Sequence, residues 1–153
     1  MGAKVGGDMK LYYNTGTYVS PVWVEVTEVG DVTIPDLTRG RAELKRRAKT
    51  FSKALPTKIQ AAGIEFRLIH GVGSTPFTQI RQDFFAGTTR EWAIMEAAIN
   101  VSGTQGFRTP AFLENFPWDQ NLEEVSGHDC RLAVAYHEDP AGTEIDPSWY
   151  TVP

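Results

Sequence analysis

The chain has 153 residues and a mass of 17.0 kDa, the size of one domain and too short for two well-filled ones. Hydrophobic residues at 41%, aromatics at 11% and charged residues at 22% make a globular composition, which excludes wholesale disorder and lets a core form without disulfide or metal staples. A formal charge of −4 argues against a dedicated nucleic-acid binder, and a single cysteine, Cys130, excludes an intramolecular disulfide framework and a multi-cysteine zinc site.

Cys130 reads as a small buried hydrophobe. No apolar run approaches the length of a membrane span, and the glycine-rich residues 1–10 lack the apolar stretch of a signal peptide. The expectation is a soluble protein made in a reducing cytoplasm.

Residues 1–20 read as an N-terminal arm, diluted by Gly2, Gly6, Gly7, Asn14 and Gly16 but carrying Leu11, Tyr12, Tyr13 and Tyr18. An aromatic terminal segment docks on its own domain or on a neighbour. Residues 22–29 alternate, with Val22, Val24 and Val26 on one side and Trp23, Glu25 and Thr27 on the other, which predicts a half-buried strand. Gly30-Asp31 signals a turn, residues 32–34 restart a strand, and Pro35-Asp36 breaks it.

Residues 36–57 suit a helix by propensity around residues 42–48, yet Ala42, Leu44, Arg46 and Ala48 also alternate. The preferred reading is a charged protruding loop or extended hairpin, with a short helix competing. Residues 58–70 form a strand with Ala62, Ile64, Phe66 and Leu68 inward and Gly63, Glu65 and Arg67 outward, ended by His70-Gly71-Val72-Gly73.

The periodicity predicts a helix over 75–86. Thr75 stands at the N-cap, Pro76 at N1, Phe77, Ile80, Phe84 and Phe85 form the stripe, and Gly87 ends it. Residues 89–101 fit either helix or strand; uninterrupted alternation from Ala93 to Val101 selects strand. Residues 102–106 turn, 107–116 form a strand with Pro110 at an edge or bulge position, and 117–129 form a loop. Residues 131–137 are a last strand with Leu132, Val134 and Tyr136 inward. Residues 138–153 form an irregular C-terminal tail carrying Trp149 and Tyr150. Together these give a mainly β fold, a β-sandwich or open barrel of about six to eight antiparallel strands with one flanking helix.

The net charge conceals a split. Residues 39–58 carry Arg39, Arg41, Lys45, Arg46, Arg47, Lys49, Lys53 and Lys58 against the single acid Glu43. From residue 111 onward nine acids, including Glu123 and Glu124, face the single base Arg131. Charge alone favours two solvated faces or internal pairing; the competing reading is a self-complementary protein.

Catalytic signatures are absent: the chain has no nucleophile elbow, P-loop or zinc-protease motif. Gly71-x-Gly73 reads as a turn. His128, Asp129 and Cys130 adjoin, but neighbours on an extended chain point apart, so no metal site is expected. Glu123-Glu124 read as a solvated acidic loop. The basic run has little aromatic interleaving beyond Phe51 and lacks stacking platforms for single strands. No catalytic, cofactor or metal residue is assigned, and the expectation is a non-enzyme without cofactors.

Motifs in order along the chain carry a resemblance. They are LYYNTGTYVSPVWVEVTEVGDVTI, with its V-x-D-V-T step, the Thr38-Arg39 pair before a charged stretch, LPTKIQAAGIEFRLIHG, TPFTQIRQDFFAGTT and QGFRTPAFLENF. Together they resemble the tail tube (major tail) proteins of long-tailed bacteriophages and related phage-derived particles. The chain departs from the pattern in its very basic residues 39–58 and its lengthened residues 138–153.

The resemblance implies a β-sandwich or barrel with one helix, assembled as hexameric rings stacked into a hollow tube of a virion tail in the host cytoplasm. DNA would only pass through its β-lined channel, with few exposed bases on the wall. Terminal arms and one long loop would reach neighbours. The implied partners are further copies, the tape measure, tail tip and tail terminator, and no membrane. The candidate intersubunit residues are then Tyr12, Tyr13, Arg39, Arg41, Lys45, Arg46, Arg47, Lys49, Glu123, Glu124, Trp149 and Tyr150, with residues 39–58 as the loop that docks on an adjacent ring. A contractile or type VI-like tube is the nearest alternative. A monomeric β-barrel for a small apolar ligand is the alternative from another class.

Overall fold

Alternation at residues 64–69 places Ile64, Phe66 and Leu68 on one side of a strand and Glu65, Arg67 and Ile69 on the other, and a sheet forms around that division. The structure is a computed structural model that describes residues 9–27, 29–33, 36–61, 63–71, 73–118 and 126–153, side chains of 31 and 61 excepted. Its elements are β1 (Lys10–Asn14), β2 (Trp23–Glu25), β3 (Val29–Thr33), β4 (Leu37–Leu44), β5 (Lys53–Ala61), β6 (Ile64–Ile69), α1 (Thr75–Ala86), β7 (Arg90–Met95), β8 (Gln105–Asn115), β9 (Gly127–Val134) and β10 (Ser148–Thr151). The main sheet is a curled half-barrel in the order β2-β1-β7-β8-β9-β6-β3, with β10 also on β8; β4 and β5 pair as a separate two-stranded sheet. Every pairing is antiparallel. The mainly β open barrel with one helix is therefore the fold.

One face of the sheet makes the core. Leu11 lies opposite Ile94, Tyr13 opposite Trp92, Phe66 opposite Cys130 and Leu113 opposite Leu132, so these side chains emerge together. Phe77 and Ile80 of α1 cover them, and the cluster is closed to water. Each fully buried aliphatic such as Leu68 or Ile80 contributes about 1.5–3 kcal/mol.

α1 is also tied by charge. Buried Asp83 accepts from Arg90 Nε at 2.9 Å and Nη2 at 3.1 Å and from Gln79 Nε2 at 2.9 Å, while Arg90 Nη1 donates to the Asn14 carbonyl at 3.1 Å. Helix, β7 and the end of β1 thus share one network.

The helix has the expected bounds, but its N-cap is Ser74 in extended geometry, which moves Thr75 inside. Gly87 takes the left-handed φ of 67° that ends it. Phe85 is 79% exposed, because it sits on the flank of the stripe.

β8 is central rather than an edge. β7 occupies one side; β10 and then β9 share the other. Pro110 accepts from Ala135 N–H at 3.0 Å, and a residue's N–H and C=O point to the same side of an antiparallel ladder. Its missing N–H therefore falls where β10 has ended and β9 begins, so a central strand tolerates proline there. At Gly106 an added Cβ would lie 2.1 Å from the Ile94 carbonyl oxygen, so only glycine permits this approach to β7.

Several expectations change. Residues 10–14 of the expected arm are a strand inside the sheet. The run 22–29 divides into β2 and the start of β3, with Val22 exposed and Val26 buried, and Gly30-Asp31 lies within β3. The strand in 89–101 ends at Met95. The last large strand begins at Gly127, and its inward residues are His128, Cys130 and Leu132, leaving Val134 and Tyr136 exposed. The C-terminal tail recovers order as β10 because the upper edge of β8 is vacant. Ala62 and the acidic residues 119–125 lie outside the described residues.

Candidate functional site

The ambiguous charged stretch resolves as the hairpin β4–β5. Its register runs from Leu37 opposite Ala61 to Leu44 opposite Lys53, with a shift between Arg39 and Arg41. Residues 37–60 are exposed throughout. Arg39, Arg41, Lys45, Arg46, Arg47 and Lys49 all stand on it in water. Arg39 Nη1 donates to the Thr57 carbonyl at 3.0 Å, and Lys45 lies 3.6 Å from Glu43. Among the described residues no other base of this set has a side-chain partner, and no ion pair joins the hairpin to the acidic C-terminal half. Among the described residues only the base of the hairpin, at Leu37, Arg39, Lys58 and Ile59, lines a groove with Phe107, Val134 and Trp149, and an exposed two-stranded ribbon has little to stabilise it.

Two aromatic candidates leave the surface. Tyr12 and Tyr13 are 4% and 2% exposed and belong to this chain's own interior, because β1 lies between β2 and β7. Tyr12 Oη accepts from Ile99 N–H at 3.2 Å, and Tyr13 packs on Trp92 with centroids 5.7 Å apart. Glu123 and Glu124 lie outside the described residues. Trp149 remains 66% exposed beside a groove of about 710 Å³ shared with Leu37, Ile59, Phe107 and Val134, and its Nε1 donates to Gln105 Oε1 at 3.0 Å. Tyr150, on the opposite side of β10, turns inward.

Tyr150 leads to a cluster that no local motif announced. Arg108 and Glu91, on neighbouring strands, form a buried ion pair. The Arg108 guanidinium carbon lies 4.3 Å from the Tyr18 ring centroid, 4.7 Å from Tyr150 and 5.2 Å from Trp23. One cation therefore gathers the 15–22 loop, edge strand β2 and C-terminal β10. Burial pushes the Glu91 carboxyl up, with Arg108 opposing. Glu91 Oε2, Arg108 Nε and Trp23 Nε1 are buried without a hydrogen-bond partner among the described residues.

Glu91 also lines a cavity of about 340 Å³ with Tyr18, Arg90, His137, Glu138, Asp139 and Ile145. On its far wall the chain turns back, and Glu138 bridges Glu144 in antiparallel register. Tyr136 Oη donates to Glu138, and Asp139 Oδ1 accepts from Ala141 and Thr143 N–H at 3.0 and 2.8 Å. No trio of His, Cys, Asp or Glu among the described residues is arranged for a metal ion.

On the same face as Glu91, the β6–β9 half of the sheet carries an exposed charge ladder. Arg67 donates to Asp129 at 3.1 Å and Arg131 Nε to Glu65 at 3.0 Å, each pair directly opposite. The ladder neutralises itself.

His128 is buried, with Nδ1 3.0 Å from the Pro117 carbonyl and Nε2 3.1 Å from His70 Nδ1. A carbonyl only accepts, so His128 carries its proton on Nδ1 and accepts from His70. Cys130 is buried and its thiol is pushed up to about 12, chiefly by burial. It is not poised for chemistry.

No family model matches the chain, and no curated protein matches it in sequence. Solved structures do match. The chain superposes on a chain from the tail of an empty gene transfer agent particle with C6 symmetry at a TM-score of 0.68 and 12% identity, over 97% of this chain and 100% of that one. It matches the SPP1 tail tube at 0.67 and 12% identity, over 97% of this chain and 80% of that one. It matches a chain of the anti-feeding prophage baseplate at 0.64 and 10% identity, over 99% and 98%. The tail tube fold expected from the motifs is thus the fold of this chain over nearly its whole length.

Proposed function

We propose that this chain is the structural subunit of a phage-type tail tube, a non-catalytic protein whose activity is self-assembly. Copies close into hexameric rings, and the rings stack into a hollow tube through which DNA passes in a virion tail. The carrying observation is the end-to-end likeness to a chain that stands in a C6-symmetric tail. Three features of the monomer support it. Among the described residues the main sheet is open, with β2 and β3 each at an unpaired edge. The hairpin of β4 and β5 is exposed along its whole length. Large apolar side chains stand in water at Phe51, Phe85 and Trp149.

Tape measure, tail tip and tail terminator proteins are the further partners of this reading. The self-neutralised ladder of Glu65, Arg67, Asp129 and Arg131 suits a wall that DNA slides past, since it offers no net positive charge to hold phosphate. The likeness to a chain of an extracellular contractile injection system, at a TM-score of 0.63 and 10% identity, favours one second reading, the same subunit in a contractile machine. A ligand barrel fits less well, because Trp92, Phe77 and Ile80 fill the core side of the sheet.

Negative-stain electron microscopy of the concentrated protein, with light scattering, tests the proposal. Rings or hollow tubes are expected. A species that stays monomeric at high concentration, and also in the presence of tail-tip complexes, would overturn it.

A further inference from the structure

We propose that β10 is a strap that readies edge strand β2 for assembly. Tyr150, packed on Trp23 and Arg108, holds β2 and the 15–22 loop in place, so a copy is fit to join others only once β10 is seated. The inference rests on the self-assembly reading above and names what sets one edge of the subunit.

β2 has little of its own to hold it. It is three residues long, and among the described residues β1 is its one strand neighbour, through three opposed pairs. So short an edge strand frays unless side chains pin it. Val24 packs against the main core on one face. On the other face Trp23 joins a second, smaller cluster with Tyr12, Met95, Tyr150 and Val152. Part of its cover thus comes from β10 and the residue after it, which follow β2 by most of the chain.

The contact does not run through backbone pairing. β1, β7 and β8 separate β2 from β10 in the sheet, so the two meet only across its face. Arg108 spans that gap. Its guanidinium carbon lies 4.7 Å from the Tyr150 ring centroid and 5.2 Å from that of Trp23, and its Nη2 donates to the Tyr18 carbonyl at 3.3 Å. The Trp23 and Tyr150 centroids are 6.1 Å apart with the rings tilted. Such ring–ring and cation–ring contacts favour a definite placement of each partner. Arg108 is itself fixed by its pair with buried Glu91, so Tyr150 closes the clamp on a rigid post.

The Tyr150 ring is separable from the seating of β10. Residues Ser148 to Thr151 pair with Arg108 to Gln105. Beyond them Val152 N–H donates to the Thr104 carbonyl, and the Val152 carbonyl accepts from Gly103 N–H, both at 2.8 Å. Removing the ring therefore leaves the strap's backbone anchored. The coupling also has a use. An ordered free edge is a template for pairing with another chain, and tying its order to a strand made late keeps it out of use until the sheet is complete.

Hydrogen exchange and assembly test the strap on the full chain carrying Tyr150→Ala, Tyr150→Phe or Trp149→Ala. In Tyr150→Ala the amides of Val22 and Val24 should exchange about tenfold faster or more, while those of β6 keep wild-type rates. The concentration needed for assembly should rise about tenfold or more. Tyr150→Phe keeps the ring and should match wild type in both readouts. Trp149, on the opposite side of β10 and 66% exposed, is the control, and its alanine variant should leave exchange in β2 unchanged.

Unchanged exchange in β2, or an acceleration that spreads equally to β6, overturns the strap. A loosened β2 with wild-type assembly overturns it too, as does a Tyr150→Phe variant that behaves like Tyr150→Ala. If the unaltered chain forms no rings or tubes, the tube reading falls by itself, and exchange still decides whether β10 holds β2.

Discussion

Removing Arg108 tests the cluster that ties three remote segments to the sheet. Arg108→Met keeps length and apolar volume but strips the charge from beside Glu91, which is 4% exposed. Breaking a buried pair by removing one partner costs about 3–5 kcal/mol. The loss is a large part of the whole stability of a domain, about 5–15 kcal/mol. For a chain of this size it lowers Tm by about 6–20 °C.

The loss should depend on pH. Burial already raises the folded Glu91 carboxyl above its ordinary 4.5, with Arg108 pulling it back. Without Arg108 it rises further. The folded state then holds a proton that the unfolded state has released, so stability falls as pH rises from about 4.5 through the folded value. The variant should therefore be closer to wild type near pH 4.5 than at pH 8.

Adding Glu91→Gln to Arg108→Met removes the stranded charge and should recover most of the loss, to within about 1–2 kcal/mol of wild type. Urea unfolding followed by tryptophan fluorescence reports it, since Trp23 lies against the guanidinium. A single variant that loses less than about 1 kcal/mol, or a double variant no more stable than the single, refutes the reasoning.

Two further outcomes follow from the core and from the histidine pair. Ile80→Ala, at 0% exposure beneath the sheet, should cost about 2–5 kcal/mol, whereas Phe85→Ser, at 79% exposure one helix face away, should stay within about 0.5 kcal/mol; denaturant midpoints compare them. Burial holds His128 below its usual 6.5, the Pro117 carbonyl opposes the shift, and the charges of His70 and Arg67 add to it. The unfolded chain takes up the proton first, so this contribution is full above about pH 6.5 and is lost as pH falls through 6.5 toward the folded value. His128→Phe keeps the stack on Phe116 and should flatten that slope between about pH 7.5 and 5.5; an unchanged slope would place the titration elsewhere.

Local chemistry was legible wherever it decided the outcome by itself. The helix over 75–86 was legible because proline near its start, an apolar stripe and Gly87 act within a few residues. The inward set Ile64, Phe66 and Leu68 was legible because period-two alternation is strict there. The position of Tyr12 and Tyr13 was not. Their composition is as apt for a docking arm as for an inner strand, and only pairing of β1 with β7, about 80 residues away in sequence, buries them.

The same holds for the candidate site. The charge split between residues 39–58 and the C-terminal half is plain in the order of residues, and so is the fitness of residues 36–57 for an extended hairpin. That Glu138 and Asp139 line one cavity with Glu91, that β10 completes β8, and that Arg108 collects Tyr18, Trp23 and Tyr150 are tertiary decisions. The sequence by itself determined periodicity, end signals and the distribution of charge, which are properties of neighbours. Which strands meet, which carboxylates are left facing each other and which tyrosines are buried depend on long-range register. That register is set by the shared need of distant strands to close one apolar face, which no local window contains.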